Sequence, residues 1–189
     1  MQIACLGWGS LIWNPGDLPL SSGWYSDGPQ LPIEFARESR DGRMTLVLVD
    51  GFRKSPSLWA LLTTDDIENA KSALAQREGV SQGNVKYSIG YWDSKSGNSH
   101  GKCAEAISNW AIAKGLDGVV WTNLKCGFQP PKDVVPEISS VIEHLNSLAP
   151  DKKTVAEEYI RKAPAQVRTE YRDAIETELG WFHQTKVDD

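Results

Sequence analysis

Cysteine is scarce in this sequence of 189 residues, which has only three. Cys5, Cys103 and Cys126 are odd in number and lack the paired spacings of a zinc site or a disulfide framework. They are expected to be small buried or half-buried side chains, and a reducing cytoplasm is the expected location. The three histidines show no mutual spacing typical of metal ligands, so no metal ion is expected.

An excess of positive charge and long hydrophobic runs are also lacking. The formal net charge is -5, and the basic residues are scattered, which argues against binding of nucleic acid or of an anionic membrane. Glycines and Pro15 interrupt the apolar N-terminal segment, so no targeting segment is expected there. No apolar stretch is long enough to cross a bilayer, and no membrane partner is expected.

The composition is that of an ordinary globular protein, with 40% hydrophobic and 24% charged residues. The order of predicted elements is a cluster of strands, a helix, further strands and then helices. This order favours the α+β class over a regularly alternating parallel sheet. We expect one domain over residues 1–189, with a mixed sheet core in 1–122 and a helical part in 132–182.

Strands are predicted from short apolar or alternating segments bounded by turn residues. The first covers residues 2–6 and ends at Gly7, and Asp41-Gly42 is a strong signal for a hairpin between two others. The segments predicted as strands are 2–6, 31–39, 42–50, 57–63, 85–93 and 117–124.

Helices are predicted from capping signals and helical periodicity. Thr63 and Asp66 have the spacing of a capping box, and Gly79 is a C-terminal cap, so Glu78 should lie in the last turn of a helix. A second capping box, Thr154 with Glu157, predicts another start. Pro164 should split the C-terminal helical stretch into two. The other predicted helices cover 104–114 and 138–148.

Two glycines one residue apart, Gly7 and Gly9, follow the first predicted strand. Such a pair allows a tight turn whose N–H groups face a ligand, which suits an anion or a developing oxyanion. Ile12 stands where a dinucleotide fingerprint needs glycine, and no P-loop lysine follows. Ser10 is not flanked by glycines as a hydrolase nucleophile would be, so it is interpreted as a hydrogen-bonding residue. Alternatively, the turn only lets the strand pass close to the tryptophans.

Residues 7–15 read Gly-Trp-Gly-Ser-Leu-Ile-Trp-Asn-Pro, which resembles the glycine-rich motif of the ChaC-type γ-glutamylcyclotransferases. Gly42-Arg43 before Thr45-Leu46 is similar to that family's Gly-Arg-x-x-Thr-Leu strand. The segments "SLWALL" and "AQREGV" resemble its next strand and its Arg-Glu element. The resemblance covers about residues 3–92. Trp8 stands where the family has tyrosine.

The resemblance implies a γ-glutamylcyclotransferase-like fold, a mixed sheet curled toward a small barrel with helices around it. It implies an enzyme that cyclises a small-molecule γ-glutamyl substrate to 5-oxoproline and releases an amine, without a cofactor. Glu78 matches the family's catalytic acid/base. A carboxylate at a helix C-terminus lies at the negative end of the helix dipole, which favours proton uptake. The residues predicted to bind substrate are Gly7, Trp8, Gly9, Ser10, Leu11, Trp13 and Arg37.

Other interpretations of the same residues stay open. Arg43 is a second arginine that could contact a substrate carboxylate, Trp24 could join an aromatic pocket, and Asp117 is the alternative acidic residue. The protein could be a non-catalytic module that binds a carboxylate or a peptide. It could also be an amide hydrolase or aminoacyl-transfer enzyme in which Glu78 activates water or an external amine.

Overall fold

The chain folds into a mixture of helices and strands. A computed structural model describes residues 1–130 and 133–184. Within these residues there are six α-helices and nine short strands, five of which form one mixed sheet, and this confirms the α+β class. The strands are β1 (Ile3–Gly7), β2 (Gln30–Leu31), β3 (Ile33–Glu38), β4 (Met44–Leu48), β5 (Ser55–Pro56), β6 (Leu58–Leu61), β7 (Ile89–Asp93), β8 (Ser99–His100) and β9 (Gly118–Thr122). The helices are α1 (Ile67–Arg77), α2 (Val85–Ser88), α3 (Ala104–Ala113), α4 (Ile138–Ser147), α5 (Pro150–Lys162) and α6 (Glu170–Leu179).

The described residues form two compact units, each built from segments that are far apart in the sequence. The first unit contains residues 1–7, 14–31 and 56–124. The second contains residues 8–13, 32–55 and the chain from residue 125 onward. A single domain over the whole chain stays a prediction.

The first unit is organised around a five-stranded sheet in the order β6-β1-β9-β7-β8. β1 runs parallel to β9, and the other pairs are antiparallel. All residues of β1 and β9 are buried, as expected for central strands covered on both faces. The edge strands β6 and β8 have only four and two residues. No described strand joins these edges, so the sheet is open and the predicted small barrel is wrong for the described residues.

Helix α1 places Glu78 as the sequence predicts. The predicted capping box with Thr63 as its N-cap is wrong. Asp66 is itself the N-cap, and its side chain accepts a hydrogen bond from the Asn69 N–H at 2.8 Å. The helix packs against β1, β7 and β9. Glu78 is the C-cap, and Gly79 follows with φ of +64°, the left-handed conformation that glycine adopts without strain. The predicted position of Glu78 at a helix end is therefore confirmed.

The strand predicted over 85–93 is wrong in its first half. Residues Val85–Ser88 form the short helix α2, and only Ile89–Asp93 pair in the sheet. The alternation of Val85 and Tyr87 is typical of a strand with one buried face. In the structure Tyr87 is 60% exposed, so this face has no core to pack against. Gly90 lies under the indole of Trp121, where an added Cβ would be only 2.3 Å from the ring.

The second unit combines the β3–β4 hairpin with helices α4, α5 and α6. The hairpin turns at Asp41-Gly42 as predicted, with Gly42 at φ of +88°. Helix α5 packs against β4 and helix α6 against β3. Helix α5 ends at Lys162, and α6 begins only after the N-cap Thr169, so the predicted break at Pro164 is confirmed.

The predicted start of α5 at Thr154 is wrong. The helix begins one turn earlier, with Pro150 in its first turn. Proline is favoured there because its fixed φ fits the helix and its missing N–H would have no intrahelical partner. The Thr154 hydroxyl instead donates to the Pro150 carbonyl oxygen inside the helix at 3.0 Å. A capping-box pattern therefore occurred in a helix interior.

A buried carboxyl group joins β3 to the first turn of α6. Glu34 is 0% exposed and accepts hydrogen bonds from the backbone N–H groups of Phe35 at 2.8 Å and Tyr171 at 3.2 Å. Burial raises the pKa of Glu34 to about 7, although hydrogen bonds from Thr169 and from these two N–H groups act in the opposite direction. Glu34 therefore titrates at a higher pH in the native state than in an unfolded chain.

This difference predicts a pH-dependent stability. The native state should keep a proton on Glu34 between about pH 4.5 and 7, where the unfolded chain has released it. We expect the free energy of unfolding, relative to that of Glu34→Gln, to fall by about 3 kcal/mol as the pH rises through this range, and to stay constant above it. Urea unfolding of both proteins at a series of pH values measures this difference. A difference that does not change with pH would contradict the prediction.

Candidate functional site

The structure divides the predicted site residues between the two units. Gly7 and Glu78 belong to the first unit. The rest of the predicted set belongs to the second unit and comprises Trp8, Gly9, Ser10, Leu11, Trp13 and Arg37. Each group is described within its own unit.

In the first unit, the end of α1 brings Glu78 within electrostatic range of β1. Gly7 is the last residue of β1 and pairs with Leu58. Two residues earlier, the fully buried Cys5 has its thiol pKa raised well above the usual range. Burial is the main cause, the negative charge of Glu78 adds to it, and the positive charge of Arg77 opposes it. Glu78 is thus a charged neighbour of the strand that ends at Gly7.

The Glu78 carboxylate is paired with its sequence neighbour Arg77. The Arg77 Nη1 atom lies 2.5 Å from Glu78 Oε1, and the two side chains are only 11% and 16% exposed. Arg77 Nη2 also donates to the backbone oxygen of Asn14 at 2.5 Å. In the sequence, Arg77 belongs to the Arg-Glu element of the family resemblance, whereas Asn14 was not among the predicted site residues.

This arrangement provides a mostly buried carboxylate beside a fixed positive charge. Charged groups that are largely removed from water interact more strongly with a bound ligand than exposed groups do. A carboxylate in such a place can accept a proton from a bound ammonium group and later return it to a leaving group. The first unit therefore contains chemistry suited to general acid/base catalysis.

In the second unit, the segment Trp8–Trp13 packs against the β3–β4 hairpin and α5. The indole N–H of Trp8, only 3% exposed, donates to the Leu46 carbonyl oxygen at 3.2 Å. The Ile12 N–H donates to the Gly9 carbonyl oxygen at 3.0 Å, which closes a tight turn. Leu11 is buried, whereas Ser10 and Trp13 are half-buried.

Tyr159 of α5 is the residue of this region that sequence reasoning missed. Its hydroxyl oxygen accepts the Leu46 N–H at 3.3 Å and lies directly against Gly9. The Trp13 ring meets its ring edge-on at 5.4 Å, and the Arg43 guanidinium lies over it at 5.3 Å. Tyr159 lies in the C-terminal stretch that the sequence predicts as helical, and no sequence signal pointed to these distant partners.

The close approach of Tyr159 to Gly9 predicts a measurable coupling. A Cβ at Gly9 would lie 2.5 Å from the Tyr159 hydroxyl oxygen but 3.5 Å from the ring carbon that carries it. We expect Gly9→Ala to cost about 1 to 3 kcal/mol of unfolding free energy through this overlap. Tyr159→Phe removes the overlapping atom, at a cost of about 1 kcal/mol for the hydrogen bond to Leu46.

The double variant tests this explanation. The Cβ of Gly9→Ala no longer overlaps when the Tyr159 hydroxyl is absent. The double variant should therefore lose less unfolding free energy than the two single variants together, by at least about 1 kcal/mol. Urea unfolding of the four proteins gives this coupling. Additive costs would show that the hydroxyl does not limit the space at Gly9.

The remaining candidates have structural partners. Arg37 donates to the Lys125 carbonyl oxygen at 2.9 Å and forms a β-bridge with Gly127. Arg43 pairs with Asp41 at 2.8 Å. Asp117, the alternative acid, accepts the Gln2 backbone N–H at 2.7 Å. Trp24 belongs to the first unit, whereas Trp8 and Trp13 belong to the second.

Neither a metal-binding cluster nor a membrane-spanning helix occurs in the described residues. Residues 1–130 and 133–184 contain no group of three or more His, Cys, Asp or Glu side chains that could hold a metal ion. In the same part of the chain, no helix combines the length and hydrophobicity needed to span a membrane.

Comparison with known proteins gives no relative for this chain. No family model, no curated protein and no solved structure matches it significantly.

Proposed function

We propose that this protein is a γ-glutamylcyclotransferase-like enzyme that converts a γ-glutamyl amide to 5-oxoproline and releases an amine. The observation that carries the proposal is the position of Glu78, a carboxylate only 16% exposed that caps α1, the helix that packs against β1. This is the residue that the sequence resemblance matches to a catalytic glutamate. The proposal includes a γ-glutamylcyclotransferase-like form of the α+β fold, built on an open mixed sheet.

The reaction needs acid/base chemistry and no external nucleophile. The α-amine of the γ-glutamyl group attacks its own γ-carbonyl carbon, the new C–N bond closes a five-membered lactam, and the C–N bond to the leaving amine breaks. The α-ammonium group loses two protons to become the lactam N–H, and the leaving nitrogen gains two to become an ammonium ion. One carboxylate can carry these protons in turn. The enzyme must also hold the substrate in its folded conformation and stabilise the oxyanion that forms during the attack.

Glu78 is the proposed proton carrier, and the strand end at Gly7 belongs to the same unit. The substrate-binding roles of the other residues stay predictions from the sequence. No disulfide joins the cysteines at 5, 103 and 126. Free thiols are usual in a reducing compartment, which supports the proposed cytoplasmic location.

The test is a mass-spectrometric assay for 5-oxoproline with purified protein. The panel contains glutathione, γ-glutamyl amino acids and γ-glutamyl amines, each with a protein-free control because some of these compounds cyclise spontaneously. Glu78→Gln is assayed in parallel. Glu68→Gln is the matched control, because Glu68 lies in the first turn of the same helix with a side chain 71% exposed.

Each outcome favours one function. Formation of 5-oxoproline by the natural chain and by Glu68→Gln, but not by Glu78→Gln, supports the proposal. Formation of free glutamate would overturn it in favour of an amide hydrolase. If no panel member reacts, the proposal fails in favour of a binding module, for which Glu78→Gln should leave ligand affinity unchanged.

A further inference from the structure

Arg77 and Glu78 converge although they are consecutive residues. Neighbouring side chains on a helix point in directions about 100° apart and normally do not face each other. Here Glu78 keeps helical backbone angles, with φ of -83° and ψ of -2°, yet its carboxylate lies 2.5 Å from the Arg77 guanidinium. The pairing therefore depends on how both side chains are held outside the helix.

The turn at Asn14–Gly16 holds Arg77 in this position. The Asn14 carbonyl oxygen accepts a hydrogen bond from Nη2 at 2.5 Å. Gly16 has φ of +58°, and a Cβ there would lie 3.8 Å from the Arg77 Cγ atom, so the turn lies against the arginine stem. These contacts direct the guanidinium toward Glu78.

The pair is costly to bury, which favours a role beyond stability. Both side chains are at least four-fifths removed from solvent, at 11% and 16% exposure. Removing two charges from water costs several kcal/mol, which their attraction often only balances. Two mostly buried opposite charges, fixed side by side, are complementary to a ligand that itself carries two opposite charges close together.

We infer that the Arg77–Glu78 ion pair recognises the α-amino acid end of the substrate, with Arg77 binding the α-carboxylate and Glu78 binding the α-ammonium group. This inference rests on the proposed function and deepens it. The ligand replaces one internal ion pair with two intermolecular pairs, so the net charge of the site stays the same. A guanidinium binds a carboxylate through two parallel hydrogen bonds, which gives it directional specificity.

Binding of the substrate by Arg77 and Glu78 also positions it for the reaction. The ammonium group bound by Glu78 is the group that must lose protons before it attacks the γ-carbonyl carbon. Arg77 binds the carboxylate on the same α-carbon and so fixes the orientation of that carbon. The α-nitrogen is then directed toward the substrate's own γ-carbonyl group, which must fold back to it. Arg77 is thus a specificity-determining residue for substrates that carry both a free α-carboxylate and a free α-amine.

The inference is tested by binding of L-glutamate, which has the same α-amino acid end and cannot release an amine. Isothermal titration calorimetry compares L-glutamate with its α-amide, isoglutamine, in the natural chain and in Arg77→Met. We expect Arg77→Met to weaken L-glutamate binding about 100-fold, which corresponds to the loss of charged hydrogen bonds, and not to weaken isoglutamine binding, because the ammonium group of isoglutamine still pairs with Glu78. Arg77→Lys keeps the charge without the two-point geometry and should give an intermediate affinity.

Controls distinguish recognition from folding. Arg40→Met removes an exposed arginine and should leave L-glutamate affinity unchanged. If Arg77→Met unfolds, Arg77→Lys still tests the inference. Its ratio of L-glutamate affinity to isoglutamine affinity should be lower than that of the natural chain. Equal weakening of both ligands, or no L-glutamate binding by the natural chain, overturns the inference. Because calorimetry needs no turnover, failure to form 5-oxoproline overturns the proposed function separately.

Discussion

Replacement of Glu78 by glutamine should reduce the rate of 5-oxoproline formation by about 10²- to 10⁴-fold, the contribution typical of a positioned acid/base group. Glutamine keeps the size of the side chain and can still accept a hydrogen bond from Arg77, but it cannot take up the substrate proton. Initial rates measured by mass spectrometry at saturating and at low substrate concentration give kcat and kcat/KM. Both should fall, because the proton transfer occurs in the transition state.

Two further variants make this result specific. Glu78→Asp keeps the carboxylate on a shorter side chain and should retain more activity than Glu78→Gln. Glu68→Gln, at the other end of α1, should have the rate of the natural chain. A Glu78→Gln protein with a rate within tenfold of the natural one, and an unchanged thermal unfolding midpoint, would show that Glu78 is not the proton carrier.

Replacement of Arg172 by methionine should cost about 3 to 5 kcal/mol of unfolding free energy, because it leaves buried polar groups without partners. Arg172 is 0% exposed and lies in the first half of α6. Its guanidinium satisfies carbonyl oxygens at and beyond the end of α5, where helix geometry provides no donors. The acceptors, at 2.8 to 3.1 Å, are the backbone oxygens of Ala163, Pro164 and Val167 and the carboxylate of Glu176.

Arg168 provides the matched control for this prediction. It pairs with Glu176 at 2.9 Å as Arg172 does at 3.1 Å, but its side chain is 46% exposed. Arg168 also bonds Glu176 through its second Nη atom at 2.9 Å and pairs with Asp173, but solvent screening weakens these contacts, so Arg168→Met should cost about 1 kcal/mol, well below the cost of Arg172→Met. Urea unfolding of both variants measures the contrast. Similar costs for the two arginines would show that the carbonyl contacts of Arg172 contribute little.

Several elements were predictable because their signals are local. The Asp41-Gly42 hairpin and the end of α1 before Gly79 each depend on a few adjacent residues. Glu78 could therefore be placed at a helix end from the sequence. Local signals led to wrong predictions where the same short pattern is compatible with more than one structure. The alternating residues 85–88 formed a helix, and the capping pattern at Thr154 lay inside α5.

The sequence by itself determined the α+β class, the main helices and hairpin, and the chemical type of the candidate residue Glu78. Tertiary structure decided how distant segments meet, such as the parallel pairing of β1 with β9, the contact of Tyr159 with Gly9, and the bond from Arg77 to Asn14. Capping and turn preferences act over a few residues, whereas these contacts join residues separated by more than 60 positions. They are selected by burial and packing of the whole fold, and only folding brings their atoms together.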